Sequence, residues 1–182
     1  MVAAKAKYAN RINGILPKIT EERRLFFREA YHPILYLNNK QKNEITYPQT
    51  FELSQEKRII VISGPNAGGK TISLKTVGLL QLMLQSGILI PVHERSETFL
   101  FYRIMNYFLK KCNKKTMFLI DEFGTGSDPE LGGALAEIFL EEFYHREAFG
   151  IITTHYSNLK ILANELPFAI NANMLFDEKT LE

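Results

Sequence analysis

Four aliphatic residues, Ile59-Ile60-Val61-Ile62, run directly into Ser63-Gly64-Pro65-Asn66-Ala67-Gly68-Gly69-Lys70-Thr71. This is a buried strand, a glycine-rich turn and the opening of a helix. Gly64 to Thr71 fits the phosphate-binding pattern G-x-x-x-x-G-K-[ST] without a mismatch. The residue types follow from the chemistry. Glycines let the backbone close round a polyphosphate with its N–H groups pointing inward, and the following helix adds the positive end of its dipole. Lys70 is expected to reach the β- and γ-phosphates, and the Thr71 hydroxyl to bind Mg²⁺. The rival reading is a glycine-rich turn with no ligand. It leaves Lys70 without an evident use.

At 182 residues the chain suits one domain with a real core. A net charge of +2 is too small to indicate nucleic acid by itself. The single cysteine, Cys112, cannot close an internal disulfide and points to a reducing compartment, as a thiol with no role. No apolar run reaches membrane-spanning length and the N-terminus lacks a signal peptide's apolar core, so no membrane partner and a cytoplasmic location are expected.

Along the chain, Val2 to Leu16 reads as a basic helix ended by Gly14 and Pro17. Glu21 to Ala30 is a mixed-charge stretch interrupted by Tyr31-His32-Pro33, and Lys40 to Pro48 reads as loop. Thr50–Leu53 and Arg58–Ser63 read as a β-hairpin leading into the phosphate loop. Ile72 to Gln85 is a helix that is apolar all round and ends at Ser86-Gly87. Ile88 to Val92 reads as a second strand. Thr98–Ile104 is β-like and Met105–Cys112 helical, with no turn signal between them. Lys110, Lys111, Lys114 and Lys115 form a basic cluster, either a solvated helix end or a nucleic-acid patch.

Thr116–Ile120 is a third buried strand. Ser127 or Asp128 is expected to cap a helix from Glu130 to Tyr144, with Pro129 in its first turn. Phe149–Thr153 is a fourth strand, Ser157 caps a helix to Glu165, and Phe168–Ala172 and Asn173–Phe176 are late strands. The expected fold is α/β, a mostly parallel doubly wound sheet with a β-hairpin lead-in and its ligand at the strands' C-terminal ends.

Polar residues close three of these strands. Asp121 follows the third and fits the role of holding Mg²⁺. Glu122, next along, is placed to orient or deprotonate an attacking water. The alternative for the two carboxylates is capping of the Glu130 helix region. His155 closes the fourth strand, where it can sense a γ-phosphate or simply be a satisfied surface residue. Only Arg95, Arg103 and Arg146 follow the loop. Transfer to a small acceptor usually needs arginines, so the acceptor is water or a partner supplies the missing groups.

With these residues in view, the chain resembles the ATPase domain of the MutS family of DNA mismatch-binding proteins, in the bacterial branch that often carries an Smr nuclease domain. The resemblance lies in Gly64–Thr71, Leu74-Lys75-Thr76-Val77-Gly78-Leu79, Ser86-Gly87 to Ile90-Pro91, Leu119 to Pro129 and Thr153-Thr154-His155-Tyr156. Glu29-Ala30-Tyr31-His32-Pro33 resembles the family's Arg-His-Pro element. The resemblance implies an ABC-type P-loop ATPase over residues 29–182 that binds ATP and Mg²⁺, with His32 among the nucleotide-binding residues. Residues 1–28 would be a remnant of the family's lever helix and a linker. It further implies a homodimer in which Gly124–Asp128 lies at the interface and His155 is the switch histidine. DNA would be bound through domains outside this chain.

The chain departs from the family where Phe101-Tyr102-Arg103-Ile104 runs straight into Met105-Asn106-Tyr107. The family's segment carrying the signature serine belongs there and is missing, so the chain reads as a fragment lacking it. Three functions follow as expectations: an ATPase domain of a MutS-like protein of DNA repair or recombination control, a non-catalytic ATP-binding fragment, or a P-loop small-molecule kinase.

Overall fold

In a computed structural model the described residues are 2–64, 69–105, 111–124 and 129–173. They divide into two compact units, residues 1–54 with 75–100, and residues 55–74 with 101–182. The division runs through one helix, α3 (Lys70–Gln85), after Leu74.

The first unit holds a four-stranded sheet in the order β1-β5-β2-β3, formed by β1 (Lys18–Ile19), β2 (Leu25–Ala30), β3 (Gln49–Leu53) and β5 (Glu97–Thr98). Strand β1 runs parallel to β5, while β2 is antiparallel to both β5 and β3. Leu25, Phe27 and Leu53 are fully buried in it. Burying side chains of that size stabilises by about 2 kcal/mol each.

Helix α1 (Val2–Arg11) stops short of the expected Leu16. Asn13 takes φ 52° and the Gly14 N–H closes on the Ala9 carbonyl, which ends the helix. The mixed-charge stretch conceals β2, and the residues after it form α2 (Pro33–Lys42). His32 caps α2: its Nδ1 accepts from the Leu35 N–H at 3.3 Å, and Pro33 fills the first turn.

The predicted hairpin is not formed. Its two runs are β3 and β4 (Ile59–Ser63), but β3 pairs with β2 and β4 belongs to the other sheet. Nor is Ile88–Val92 a strand, since its β-pairing is the isolated bridge between Ile90 and Ile15. Thr98–Ile104 divides between β5 and β6 (Arg103–Met105), one in each sheet.

The second unit carries the expected α/β sheet. Its order is β6-β7-β8-β4-β9, with β7 (Thr116–Ile120), β8 (Phe149–Thr154) and β9 (Ala169–Asn173), and every neighbouring pair is parallel. All five residues of β4 and all six of β8 are buried, as strands covered on both faces require.

Helices α4 (Pro129–His145) and α5 (Ser157–Glu165) supply Ala136, Leu140, Phe143, Leu159 and Ala163 to a core shared with Ile59, Val61, Phe118 and Ile152. Phe118 stacks on Phe143 with centroids 3.8 Å apart. A Cβ at Gly150 would come within 2.2 Å of the Phe118 ring, so only glycine lets β8 pass so close. Cys112 lies buried in the same core, where desolvation pushes its thiol up against a smaller opposing effect of Arg146. That is an unreactive environment.

The cap of α5 is Tyr156 and not Ser157, with no side-chain cap bond. Pro65 to Gly68, the helix expected over 105–112, the caps Ser127 and Asp128, and the late strand over 173–176 fall wholly or mainly outside the described residues.

Candidate functional site

Because the second unit's sheet is fully parallel, the C-terminal ends of β4, β7 and β8 open on one edge. Ser63 pairs with Thr154, and Ile120 with Ile152, which sets Asp121 beside Thr153. This register assembles the site.

Thr153 is fully buried and holds the turn after β7. Its Oγ1 donates to Asp121 Oδ1 at 2.6 Å and accepts from the Glu122 N–H at 2.7 Å, while its carbonyl accepts from the Phe123 N–H at 2.7 Å. The Thr71 hydroxyl donates to the same Asp121 Oδ1 at 3.1 Å. The two predicted metal ligands are therefore neighbours.

Glu122 sits in the left-handed region at φ 50°. That backbone costs an ordinary L-residue about 1–2 kcal/mol and is held only where the surroundings enforce it. Here the Thr153 bonds enforce it. The Glu122 carboxylate stays half exposed, with Oε1 3.9 Å from His155 Nε2.

Gly124 follows at φ 87°, and a Cβ there would lie 2.6 Å from the Tyr156 ring. Tyr156 donates its hydroxyl to the Gly124 carbonyl at 2.9 Å, tying the turns after β7 and β8 together.

Gly64 at φ 135° and Gly69 at φ 78° bracket the loop, both in conformations that favour glycine. Lys70 is 3 % exposed, and its Nζ donates to the Gly64 carbonyl. Burial holds its ammonium below the usual lysine range, with Glu122 and Asp121 opposing the shift. A desolvated cation next to carboxylates and an open strand edge is suited to meeting an anion. A cleft of about 220 Å³ lies alongside, lined by Ser63, Gly64, Thr154, His155, Tyr156 and Lys160.

The structure thus brings together Gly64, Gly69, Lys70, Thr71, Asp121, Glu122 and His155 in one unit. His32 belongs to the other unit, where its neutral form is favoured by burial and then by Lys75, against a backbone hydrogen bond that raises its pKa. Thr153 and Tyr156 are not among the predicted site residues. Their signal lies in their place at the end of a strand next to the one that carries Asp121.

A fully parallel sheet whose interior strand β4 leads into a glycine-rich sequence and a helix is an α/β fold of the P-loop NTPase kind. The family model for MutS domain V matches residues 93–182. Across the whole chain, the endonuclease MutS2 of Ligilactobacillus salivarius is 37% identical over 204 residues, and that of Lactobacillus acidophilus is 39% identical over 201 residues and 98% of the chain. The endonuclease MutS2 of Shouchella clausii is 36% identical over 203 residues and 99% of the chain. The chain spans 25% of the length of each of these relatives. The chain is thus similar to MutS domain V over its second half and to part of these MutS2 proteins along its length.

Proposed function

We propose that this chain is the ATP-binding and ATP-hydrolysing domain of a MutS-like protein that acts on mismatched or branched DNA in repair or recombination control. The observation that carries the reading is the shared strand edge, where the Thr71 hydroxyl and the Asp121 carboxylate meet beside Lys70 and Glu122. Lys70, with the loop Gly64, Pro65, Asn66, Ala67, Gly68 and Gly69, binds the phosphates. Thr71 and Asp121 offer adjacent hard oxygens of the kind Mg²⁺ accepts, in the small number it takes from protein beside phosphates and water. When bound, the ion neutralises phosphate charge.

Glu122 orients the water and accepts its proton. His155, close to that carboxylate, positions it and senses the γ-phosphate. His32 enters as a nucleotide-binding residue by the family resemblance alone. Homodimerisation through the ATPase face, DNA contact through other domains and a cytoplasmic location belong to the same reading. Among the described residues no helix is long and apolar enough to cross a membrane.

A second reading, a non-catalytic ATP-binding module, has its own observation. The alignments run over as many as 205 residues against 182 in this chain, so the relatives hold residues that this chain lacks. The break between Ile104 and Met105 is where the sequence suggests that loss. The third reading, a small-molecule kinase, lacks the arginines such transfer uses.

The test is Mg²⁺-dependent ATP binding by calorimetry. Lys70→Ala is expected to abolish binding, and Asp121→Asn to remove its Mg²⁺ dependence. Binding untouched by both changes contradicts the assignment.

A further inference from the structure

Four cationic side chains stand around the starts of β6 and β7. Lys18, Arg24, Arg28 and Arg146 each reach a glutamate carboxylate. Among the described residues, Arg103, Lys111, Lys114 and Lys115 reach none. From Phe99 to Ile120 the sequence contains no Asp or Glu at all.

Hydrogen bonds gather Arg103, Lys111 and Lys115, and Lys114 adjoins Lys115 in the chain. The Tyr102 N–H donates to the Lys115 carbonyl at 2.9 Å, and Arg103 Nη1 donates to the Lys111 carbonyl at 3.3 Å. Asn113 Oδ1 accepts from the Lys115 N–H at 2.9 Å and fixes the turn between them. Arg103 pairs with Thr116 in the β6–β7 register, which joins the two segments side by side. Tyr102 stands 72% exposed at the centre, with Lys115 Nζ 4.3 Å from the centroid of its ring. Since the sheet is parallel, this patch lies at the N-terminal edge of its strands, opposite Asp121. It is separate from the proposed phosphate site and does not rest on the ATPase reading.

We propose that this patch binds the phosphate backbone of a single-stranded nucleic acid, with a base stacked on Tyr102. Cations without carboxylate partners round an exposed aromatic ring are the combination that holds such strands, with charge tracking phosphates and the ring taking any base. Single-strand binding weakens with salt by a log–log slope of about −0.7 per phosphate neutralised, so four cations predict a slope of about −2 to −3. An exposed face of this kind also tolerates substitution, which makes the test clean.

The experiment is fluorescence anisotropy of a dye-labelled oligothymidine titrated with the full chain across a salt series. The Lys111→Gln/Lys114→Gln double variant is expected to shallow the slope by about 1.4. Tyr102→Leu is expected to weaken binding about tenfold with the slope unchanged. Thermal unfolding and ATP binding on the same samples report whether each variant is folded, and Arg103→Gln/Lys115→Gln is the replacement pair if the first is not. No binding, or an unchanged slope in a folded double variant, overturns the proposal. Displacement by polyglutamate as effective as by oligonucleotide marks an acidic-peptide surface and overturns it too. Preference for duplex over single strand overturns the stacking assignment.

Discussion

Glu122 is the residue proposed to activate water, and its backbone is the most expensive feature of the site. Its φ of 50° costs an L-residue about 1–2 kcal/mol, which glycine does not incur. Glycine in turn loses about 0.5–1 kcal/mol through the freedom of its unfolded chain. Removing the side chain costs the same in either variant: the 3.9 Å contact with His155 is weak and screened, and the carboxylate's offset to the burial of Lys70 is lost.

The N–H that donates to Thr153 is kept in every variant. Glu122→Gly is therefore expected to be more stable than Glu122→Ala by about 1 kcal/mol. For a chain of this length that is a Tm difference of about 2–4 °C. Both variants are expected to bind ATP and to hydrolyse none. Urea and thermal unfolding of the three proteins, with ATP binding on the same samples, decide the matter. A glycine variant less stable than the alanine variant by about 0.5–1 kcal/mol would refute the reasoning, because that is what the freedom of glycine's unfolded chain alone predicts when no strain is stored at this turn.

Thr153→Val removes the donor to Asp121 and the acceptor of the Glu122 N–H in one step. A loss of about 1–3 kcal/mol is expected, along with weaker Mg²⁺-dependent ATP binding. Thr153→Ser, which keeps the hydroxyl, should restore most of both in the same unfolding and calorimetry assays. His32 predicts a pH dependence. Its folded pKa lies below 6.5, first because of burial and then because of Lys75, so below pH 6.5 the unfolded chain binds the extra proton. Stability is complete above pH 6.5 and falls as the pH drops through the window down to the folded value. His32→Asn keeps an N-cap acceptor and should flatten that slope in unfolding curves taken from about pH 5 to about pH 7.5, on either side of the ordinary histidine value.

How much of this is readable from the residues alone depends on how local the signal is. The strand before the glycine loop, the loop's ends Gly64 and Gly69, and the carboxylates after Ile120 are local patterns, and they meet at the sheet edge that the pattern requires. The helix over 70–85 and its glycine stop are equally legible, because Gly87 takes φ 67° just past the helix.

The hairpin reading fails for a long-range reason. The turn after Leu53 has the composition of a hairpin loop, yet β3 finds its partner in β2 and β4 finds its partners in β8 and β9, about a hundred residues downstream. Strand β2 is hidden because half-buried Arg28 and exposed Glu29 interrupt its apolar alternation at a bulge. Helix α2 is hidden because His32 serves as its cap in place of the usual Ser, Thr, Asp or Asn. Ile88–Val92 has the aliphatic content of a strand but finds only one bridge partner. Thr153 cannot be singled out within the sequence, since its role exists only once the register sets it beside Asp121.

The central claim is that this strand edge hydrolyses ATP with Glu122 as the activating group. The most direct measurement is steady-state ATP turnover per chain across a protein concentration series, with Glu122→Gln measured alongside. Turnover that rises with concentration and disappears in Glu122→Gln, with ATP binding retained, is the predicted result. ATP binding with no turnover at any concentration would contradict the claim and leave a nucleotide-binding module.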